Sequence, residues 1–206
     1  MEETNKFQQL ASAEQLKRTV AALETNGISA VVVETGAEAK TKALFLIEKG
    51  TSVMTATSTT ADQIGLSEAI EESKDFVSLR KKITELPESE QRAAARRINS
   101  APDYVVGSAN AVTEDGKVVI ASNSGSQLAP YAFSAAHVIW VVGTQKIVAN
   151  LDEAMKRIEE HTLKLESERL QKIYGIDSAI RKTLIINSEV MPGRITMILV
   201  KEKLGF

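Results

Sequence analysis

The sequence contains no cysteine, and this absence excludes several kinds of chemistry at once. Disulfide bonds, thiolate nucleophiles and cysteine-ligated iron–sulfur or zinc sites all require the missing thiol group. Aromatic residues make up only 4% of the chain, and the net charge is −2 from 25 basic and 27 acidic side chains. Because nucleic-acid binding relies on a basic surface and on aromatic stacking, we expect no nucleic-acid partner.

Long apolar segments are also missing. The apolar run Val138–Val142 has the length of a strand, whereas about 18–20 apolar residues are needed to cross a bilayer. The N-terminal segment Met1–Gln9 is polar and acidic, unlike the basic and then apolar pattern of a secretory signal peptide. We therefore expect a cytoplasmic protein with no membrane partner.

The chain is long enough to form one domain without disulfides. A domain of 206 residues buries roughly 70% of the surface that its unfolded chain exposes. Apolar residues recur at helical spacing in some segments and form short continuous runs in others. Helices are predicted over Ala13–Leu23 before Gly27, Ala37–Glu48, Ala61–Ser73 with a disruptive Gly65, Glu88–Ile98, Gln127–Phe133, and Leu151–Tyr174 with a break. Strands are predicted over Ile28–Val33, Thr51–Thr55, Asp75–Leu79, Tyr104–Val106, Val118–Ala121, Val138–Val142, Lys182–Asn187 and Ile195–Lys201.

Helices that alternate with short, nearly all-apolar strands predict an α/β fold, in which helices flank a mainly parallel sheet. We expect a single domain over residues 1–206 that begins with an N-terminal helix. The last two strands, around Met191–Arg194, are interpreted as a C-terminal pair that is added to the sheet in antiparallel fashion.

Polar loops follow several of the predicted strands, and ligands of open α/β sheets bind at the carboxyl ends of strands. Ser58 and Thr59 follow one strand, Gly107 and Ser108 another, and Gly143 with Lys146 a third. Glycine lets a ligand approach the backbone, and hydroxyl groups can fix it. These strand ends therefore predict a binding crevice.

Two polar stretches, Gly107–Gly116 and Ser122–Gln127, stand out within this region. The segment Ser124–Ser126 precedes a predicted helix, whose free backbone N–H groups would suit a carboxylate or phosphate. Asp115-Gly116 predicts a tight hairpin turn. The alternative interpretation is a cap with a turn and an ordinary loop, and neither stretch matches a P-loop or a dinucleotide-binding glycine motif.

The stretch Asp103–Gly116 resembles the central motif of the lactate-utilisation (LUD) domain family. The loop Ser122–Gln127, the strand His137–Gly143 with Gln145–Val148, and the upstream Ser58–Thr60 and Ile64–Leu66 follow in the family's order. The resemblance covers residues 51–206, with residues 1–50 as an N-terminal helix-strand-helix part. It implies a fold like that of sugar-phosphate isomerases and CoA-transferases, and a link to bacterial oxidation of L-lactate to pyruvate.

Related subunits in that system carry iron–sulfur clusters on an added cysteine-rich region, which this chain lacks. The resemblance therefore implies an accessory component that binds a small anionic metabolite, with iron–sulfur oxidoreductase subunits as possible partners. A first alternative is an acyl-CoA transferase or sugar-phosphate isomerase, and a second is a non-catalytic interaction module. Self-association is compatible with the fold.

Glu114 is the candidate catalytic residue, because Thr113–Gly116 is similar to the Glu-Asn-Gly element of CoA-transferases and a carboxylate can attack an acyl group. The alternatives for Glu114 are a contact to the ligand and a solvated turn residue. The amides of Asn110 and Gln127 can bond a carboxylate, and Arg194 suits bidentate anion binding or a salt bridge. The predicted ligand-binding residues are Ser58, Thr59, Gly107, Ser108, Asn110, Thr113, Ser124, Gly125, Ser126, Gln127, Gly143, Lys146 and Arg194.

The sequence predicts neither a metal site nor a cofactor. His137 opens a buried strand, and His161 lies beside Glu159 and Glu160 on a helix and is interpreted as solvated. Neither histidine has a second ligand at helical spacing. Trp140 lies in an apolar strand and is predicted to be a core residue.

Overall fold

A parallel β-sheet lies at the centre of the computed structural model, which describes residues 5–206. The first four residues of the segment Met1–Gln9 lie outside the described residues. Numbered along the chain, the strands are β1 (Ser29–Val33), β2 (Ser52–Thr55), β3 (Val77–Ser78), β4 (Tyr104–Gly107), β5 (Ala111–Thr113), β6 (Val118–Ser122), β7 (His137–Gly143), β8 (Ile147–Val148), β9 (Lys182–Ile186) and β10 (Ile195–Val200). The α-helices are α1 (Ala13–Thr25), α2 (Gly36–Leu46), α3 (Thr59–Gln63), α4 (Leu66–Glu72), α5 (Leu79–Thr84), α6 (Glu88–Ile98), α7 (Leu151–Arg157) and α8 (Leu163–Tyr174).

Local signals explain where several helices begin and end. Ser12 and Gln15 form a reciprocal capping box at the start of α1, which satisfies two of the amides that a helix start leaves free. Thr35 caps the start of α2, where its side chain accepts a hydrogen bond from the Glu38 N–H. Gly65 adopts a positive φ of 65° and separates α3 from α4, so the predicted disruption of that helix is confirmed.

The large sheet has the strand order β1-β10-β7-β4-β2-β3, and all of its pairings are parallel. Side chains alternate between its two faces. Val138, Trp140 and Val142 of β7 face one apolar cluster with α1, whereas Ile139 and Val141 face a second cluster with α2 and α4. The α/β fold with a helix-flanked parallel sheet is thus confirmed, and Trp140 is a buried core residue.

A smaller second sheet, in the order β8-β5-β6-β9, packs on the α1 side of the large sheet. The predicted hairpin at Asp115-Gly116 is present as the antiparallel pair of β5 and β6, with Gly116 at φ 82°. Both C-terminal strands are present, but they do not pair with each other. β9 pairs with β6 at the edge of the small sheet, whereas β10 lies between β1 and β7.

The segment from α7 to α8 contains the predicted break. Ile158–Thr162 forms one π-helical turn between the two α-helices, a distortion that often accompanies functional sites. His161 in this turn is buried, and its Nδ1 lies 3.0 Å from Asn5 Nδ2. The expectation that His161 is solvated was therefore wrong, because the N-terminal segment covers it. No helix within residues 5–206 combines the length and the apolar character that a bilayer span requires.

Candidate functional site

A cavity of about 360 Å³ opens at the carboxyl ends of β2, β4 and β7. Residues after these strands form one wall, β6 and the loop after it form a second wall, and the π-helical turn with α8 closes the third side. The location agrees with the strand-end rule for α/β sheets. Eight of the residues predicted to bind a ligand line this cavity, namely Ser58, Thr59, Ser108, Asn110, Ser124, Ser126, Gln127 and Lys146.

Lys146 is the central basic residue of the cavity wall. It is only 2% exposed, and it ends a short 3₁₀ turn directly after β7. Its Nζ lies 3.0 Å from Thr60 Oγ1, 3.2 Å from Ser108 Oγ and 3.3 Å from the Ala109 carbonyl oxygen. All three acceptors are neutral. Burial, and to a lesser degree the charge of Arg157, hold the pKa of the Lys146 amine well below its usual range.

Arg157 is a second buried cation behind the same wall. Its side chain is inaccessible to solvent, and its Nη1 donates to the Asn110 carbonyl oxygen at 2.6 Å and to Thr162 Oγ1 at 2.9 Å. Its Nε and Nη2 have no hydrogen-bond partner within the described part of the chain. Burial lowers the pKa of Arg157 to about 10. A buried guanidinium without a carboxylate partner is energetically unfavourable.

Asn110 and Gln127 direct their amide oxygens into the protein framework. Asn110 Oδ1 accepts from the Ala121 N–H at 2.8 Å, and Gln127 Oε1 accepts from Ser122 Oγ at 3.0 Å. These bonds fix the two amides at the cavity wall and leave the N–H donors of each amide for a ligand. Within residues 5–206, neither amide nitrogen donates to a protein acceptor.

The rim of the cavity carries one ion pair on α8. Arg169 donates two hydrogen bonds to the Glu166 carboxylate, at 2.8 and 2.7 Å. Of the charged side chains that line the cavity, Lys146 and Arg169 are basic and Glu166 is acidic. The lining therefore carries one net positive charge when Lys146 is protonated, and Arg157 adds another behind it.

Glu114 lies away from the cavity, at the turn between β5 and β6. Its carboxylate accepts from Gln15 Nε2 at 3.0 Å and forms an ion pair with Arg18 at 2.6 Å. The hydrogen bond from Arg18 has the larger effect and that from Gln15 the smaller, and together they hold the pKa of Glu114 below its usual value. Thr113, its neighbour, is buried and bonds to Asp115 and to the Lys117 N–H within the same turn.

Arg194 and three predicted glycines also lie outside the cavity lining. Arg194 forms a buried salt bridge to Glu189 at 2.7 Å and donates to the backbone of the Pro130–Ser134 turn. A side chain at Gly107 would overlap the Tyr131 hydroxyl, and one at Gly143 would overlap Gln145. The space beside Gly107 is therefore filled by protein, and Gly125 serves its loop through a positive φ of 83°.

The loop Ser124–Ser126 uses its amides internally. The Ser126 N–H donates to Ser124 Oγ at 3.3 Å, and the Leu128 N–H donates to the Gly125 carbonyl at 3.1 Å. The helical turn that follows spans only Pro130–Ser134. The side chains of this loop, rather than a helix N-terminus, are what it presents to the cavity.

Sequence reasoning missed Arg157 and the contribution of α8. Arg157 follows Lys156 in the last turn of α7, where basic residues usually serve the helix dipole at the surface. The break predicted in the long helix was the available signal, since the π-helical turn brings Ile158 and Thr162 to the cavity. No group of three or more histidine, aspartate or glutamate residues within the described residues is arranged to hold a metal.

The strand order, the second sheet on one face and the polar strand-end cavity define an α/β protein built around a ligand-sized crevice. The LUD domain family matches residues 16–201, so the chain belongs to the LUD domain family, which is associated with lactate utilisation. The match includes most of the N-terminal 50 residues as well as the stretch Asp103–Gly116, which resembles the central motif of the family. No curated protein matches the chain.

One of three similar solved structures described here supports the fold, and the other two are less similar. A DUF162 family protein from Deinococcus radiodurans is similar with a TM-score of 0.56 and 13% identity, over 93% of this chain and 99% of that one. eIF2B beta from Chaetomium thermophilum has a TM-score of 0.39 and 20% identity, over 60% of this chain and 42% of that one. Ribose 5-phosphate isomerase A from Neisseria gonorrhoeae has a TM-score of 0.36 and 14% identity, over 68% of this chain and 65% of that one.

Proposed function

We propose that this LUD domain protein binds a small anionic metabolite in the strand-end cavity, with Lys146 as the main charged contact. The observation that carries the proposal is a fully buried lysine on a cavity wall whose hydrogen-bond acceptors are all neutral. A buried charge without a counter-charge is unfavourable, so an anion in the cavity would supply the missing partner.

The rest of the lining suits the same kind of ligand. The amide N–H groups of Asn110 and Gln127 and the hydroxyls of Ser58 and Ser108 are donors for carboxylate or phosphate oxygens. The only acidic side chain of the lining, Glu166, is already paired with Arg169. The cavity volume of about 360 Å³ lies within the range of about 300–1,000 Å³ that is typical of small-molecule sites.

In the cell, we propose an accessory role in the use of lactate or a related hydroxy acid. This role combines the association of the family with lactate utilisation with the absence of cysteine, which leaves no residue in this chain to hold an iron–sulfur cluster. Oxidoreductase subunits that carry such clusters would be the partners. Chemistry at Glu114 is not part of the proposal, because its carboxylate is held by Arg18 and Gln15 away from the cavity.

Isothermal calorimetry with L-lactate, pyruvate and inorganic phosphate tests the proposal. We expect at least one of these anions to bind, and Lys146→Met to weaken that binding by roughly tenfold or more, since a hydrogen bond to a charged group contributes about 1.5–3 kcal/mol. Lys42→Met is the matched control, because Lys42 lies on α2 and is not part of the cavity lining. Absence of binding for all three anions at millimolar concentration, or equal binding by the two variants, would contradict the proposal.

A further inference from the structure

We propose that Lys146 is a carbonyl-reactive residue, whose amine forms a Schiff base with the aldehyde or ketone group of an anion in the cavity. The inference rests on the proposed function, since it assigns a reaction to a metabolite that the same site binds. The ligand class is thereby narrowed to small oxo acids and other anions that carry a carbonyl group.

The position of the amine carries the argument. The side chain of Lys146 is buried, and its Nζ is fixed between Thr60 Oγ1 at 3.0 Å and Ser108 Oγ at 3.2 Å, all three residues being part of the cavity lining. A buried lysine with a purely structural role is normally paired with a carboxylate, which keeps the amine protonated. Here no carboxylate lies within salt-bridge distance of Lys146 in the described residues.

The surroundings also favour the neutral amine, which is the nucleophilic form. Burial and the nearby guanidinium of Arg157 both lower the pKa of the Lys146 amine. Desolvation and a neighbouring cation are the two devices that activate lysine for attack on carbonyl groups in proteins. Arg157 contributes this effect without a direct contact to the cavity, so it acts as a positioning residue.

The two hydroxyls beside Nζ fit the proton transfers that the reaction needs. The Lys146 nitrogen attacks the carbonyl carbon, an N–C bond forms, and a proton moves from nitrogen to the former carbonyl oxygen. The second amine proton then moves to the same oxygen, the C–O bond of this carbinolamine breaks, the oxygen leaves as water, and a C=N double bond remains. Thr60 and Ser108, within 3.2 Å of Nζ, can pass protons in both steps.

Reductive trapping with pyruvate tests the proposal on the whole chain. Borohydride delivers a hydride to the imine carbon and converts the Schiff base into a stable secondary amine, which peptide mapping by mass spectrometry locates. We expect Lys146 to be labelled roughly tenfold or more above Lys42, because binding in the cavity would hold the carbonyl group beside the Lys146 amine, whereas Lys42 is not part of the cavity lining. Excess lactate, which has no ketone or aldehyde group, should suppress labelling at Lys146 and leave labelling at Lys42 unchanged.

The outcomes separate this inference from the proposed function. Lactate binding without label at Lys146 would overturn the inference and leave anion binding intact. Label at Lys146 in a protein that binds no lactate would support the reactive lysine and count against reversible anion binding as its role. Label spread evenly over lysines outside the cavity lining, such as Lys42 and Lys203, would overturn the inference, and no variant has to fold for this result to be read.

Discussion

Lys146 and Arg157 donate to the carbonyl oxygens of two consecutive residues, Ala109 and Asn110. The loop that follows β4 is therefore held by two buried cations from different parts of the chain. Each carbonyl offsets only part of a unit charge, because a peptide dipole is not a counter-ion. Protonation of Lys146 therefore places a positive charge at the cavity wall at an energetic cost, which a bound anion would offset.

This cost predicts that Lys146→Met stabilises the protein while it weakens ligand binding. Methionine has a similar length and needs no hydration, and replacing buried charges by apolar groups of similar volume is often stabilising by 1–4 kcal/mol. We expect a gain of about 1 kcal/mol in the free energy of unfolding at pH 6, measured by urea denaturation. Lys42→Met should change this free energy by less than ~0.5 kcal/mol. A loss of stability in Lys146→Met would show that the lysine is structural.

The gain should depend on pH in a defined direction. The pKa of Lys146 is lower in the folded protein than in the unfolded chain, so the unfolded state binds more protons between the two values, and wild-type stability rises with pH there. The penalty is complete below the folded pKa and disappears as pH approaches the ordinary value of about 10.4. The advantage of Lys146→Met should therefore be larger at pH 6 than at pH 9, and an advantage that is equal at both would contradict this origin.

A second prediction concerns Arg157 as the cause of part of the Lys146 shift. In Arg157→Met the Lys146 amine loses the cation whose charge helps to lower its pKa. The pKa of Lys146 should rise, and the pH profile of pyruvate labelling at Lys146 should move to higher pH. Simple loosening of the fold would instead raise labelling at every lysine. The profile of Lys42 in the same sample provides the internal control.

The fold was largely readable from the sequence where the signals are local. The apolar run in β7 and the helix Glu88–Ile98 lie where they were predicted. Sheet order was not readable, because the pairing of β10 with β1 and β7 depends on contacts between distant segments. The burial of His161 has the same cause, since its cover comes from Asn5 and Phe7 near the N-terminus.

The candidate site divides in a similar way. The strand-end rule was sufficient to find Ser58, Ser108 and Lys146, because it needs only the position of a residue after a strand. It also selected Gly107 and Gly143, whose small size serves contacts within the protein. Arg157 could not be found from its neighbours along the chain, because a basic residue at the end of an amphipathic helix is ordinarily exposed. Its burial arises only when α7 packs against β5.

A third prediction separates Glu114 from the cavity. Glu114→Gln removes the ion pair to Arg18, whose side chain is largely exposed, so the loss of stability at pH 7 should be under ~1 kcal/mol. The pKa of Glu114 is lowered in the folded state, so its contribution is present above the unfolded pKa and is lost as pH falls through the folded value. Lactate binding and pyruvate labelling should remain at wild-type levels. A large loss of either would restore Glu114 as a functional residue, as would hydroxylamine-sensitive labelling of Glu114 by an acyl-CoA.

A fourth prediction tests why Gly107 is a glycine. A Cβ at this position would overlap the Tyr131 hydroxyl and approach Ala56, so Gly107→Ala should destabilise the protein by about 1–3 kcal/mol through overpacking. Tyr131→Phe removes the overlapping oxygen. In the Tyr131→Phe background, the same alanine substitution should therefore cost clearly less, and a double-mutant cycle by urea denaturation measures the difference. Equal costs in both backgrounds would show that Gly107 is needed for another reason, and a direct ligand contact at its backbone would then become the leading explanation.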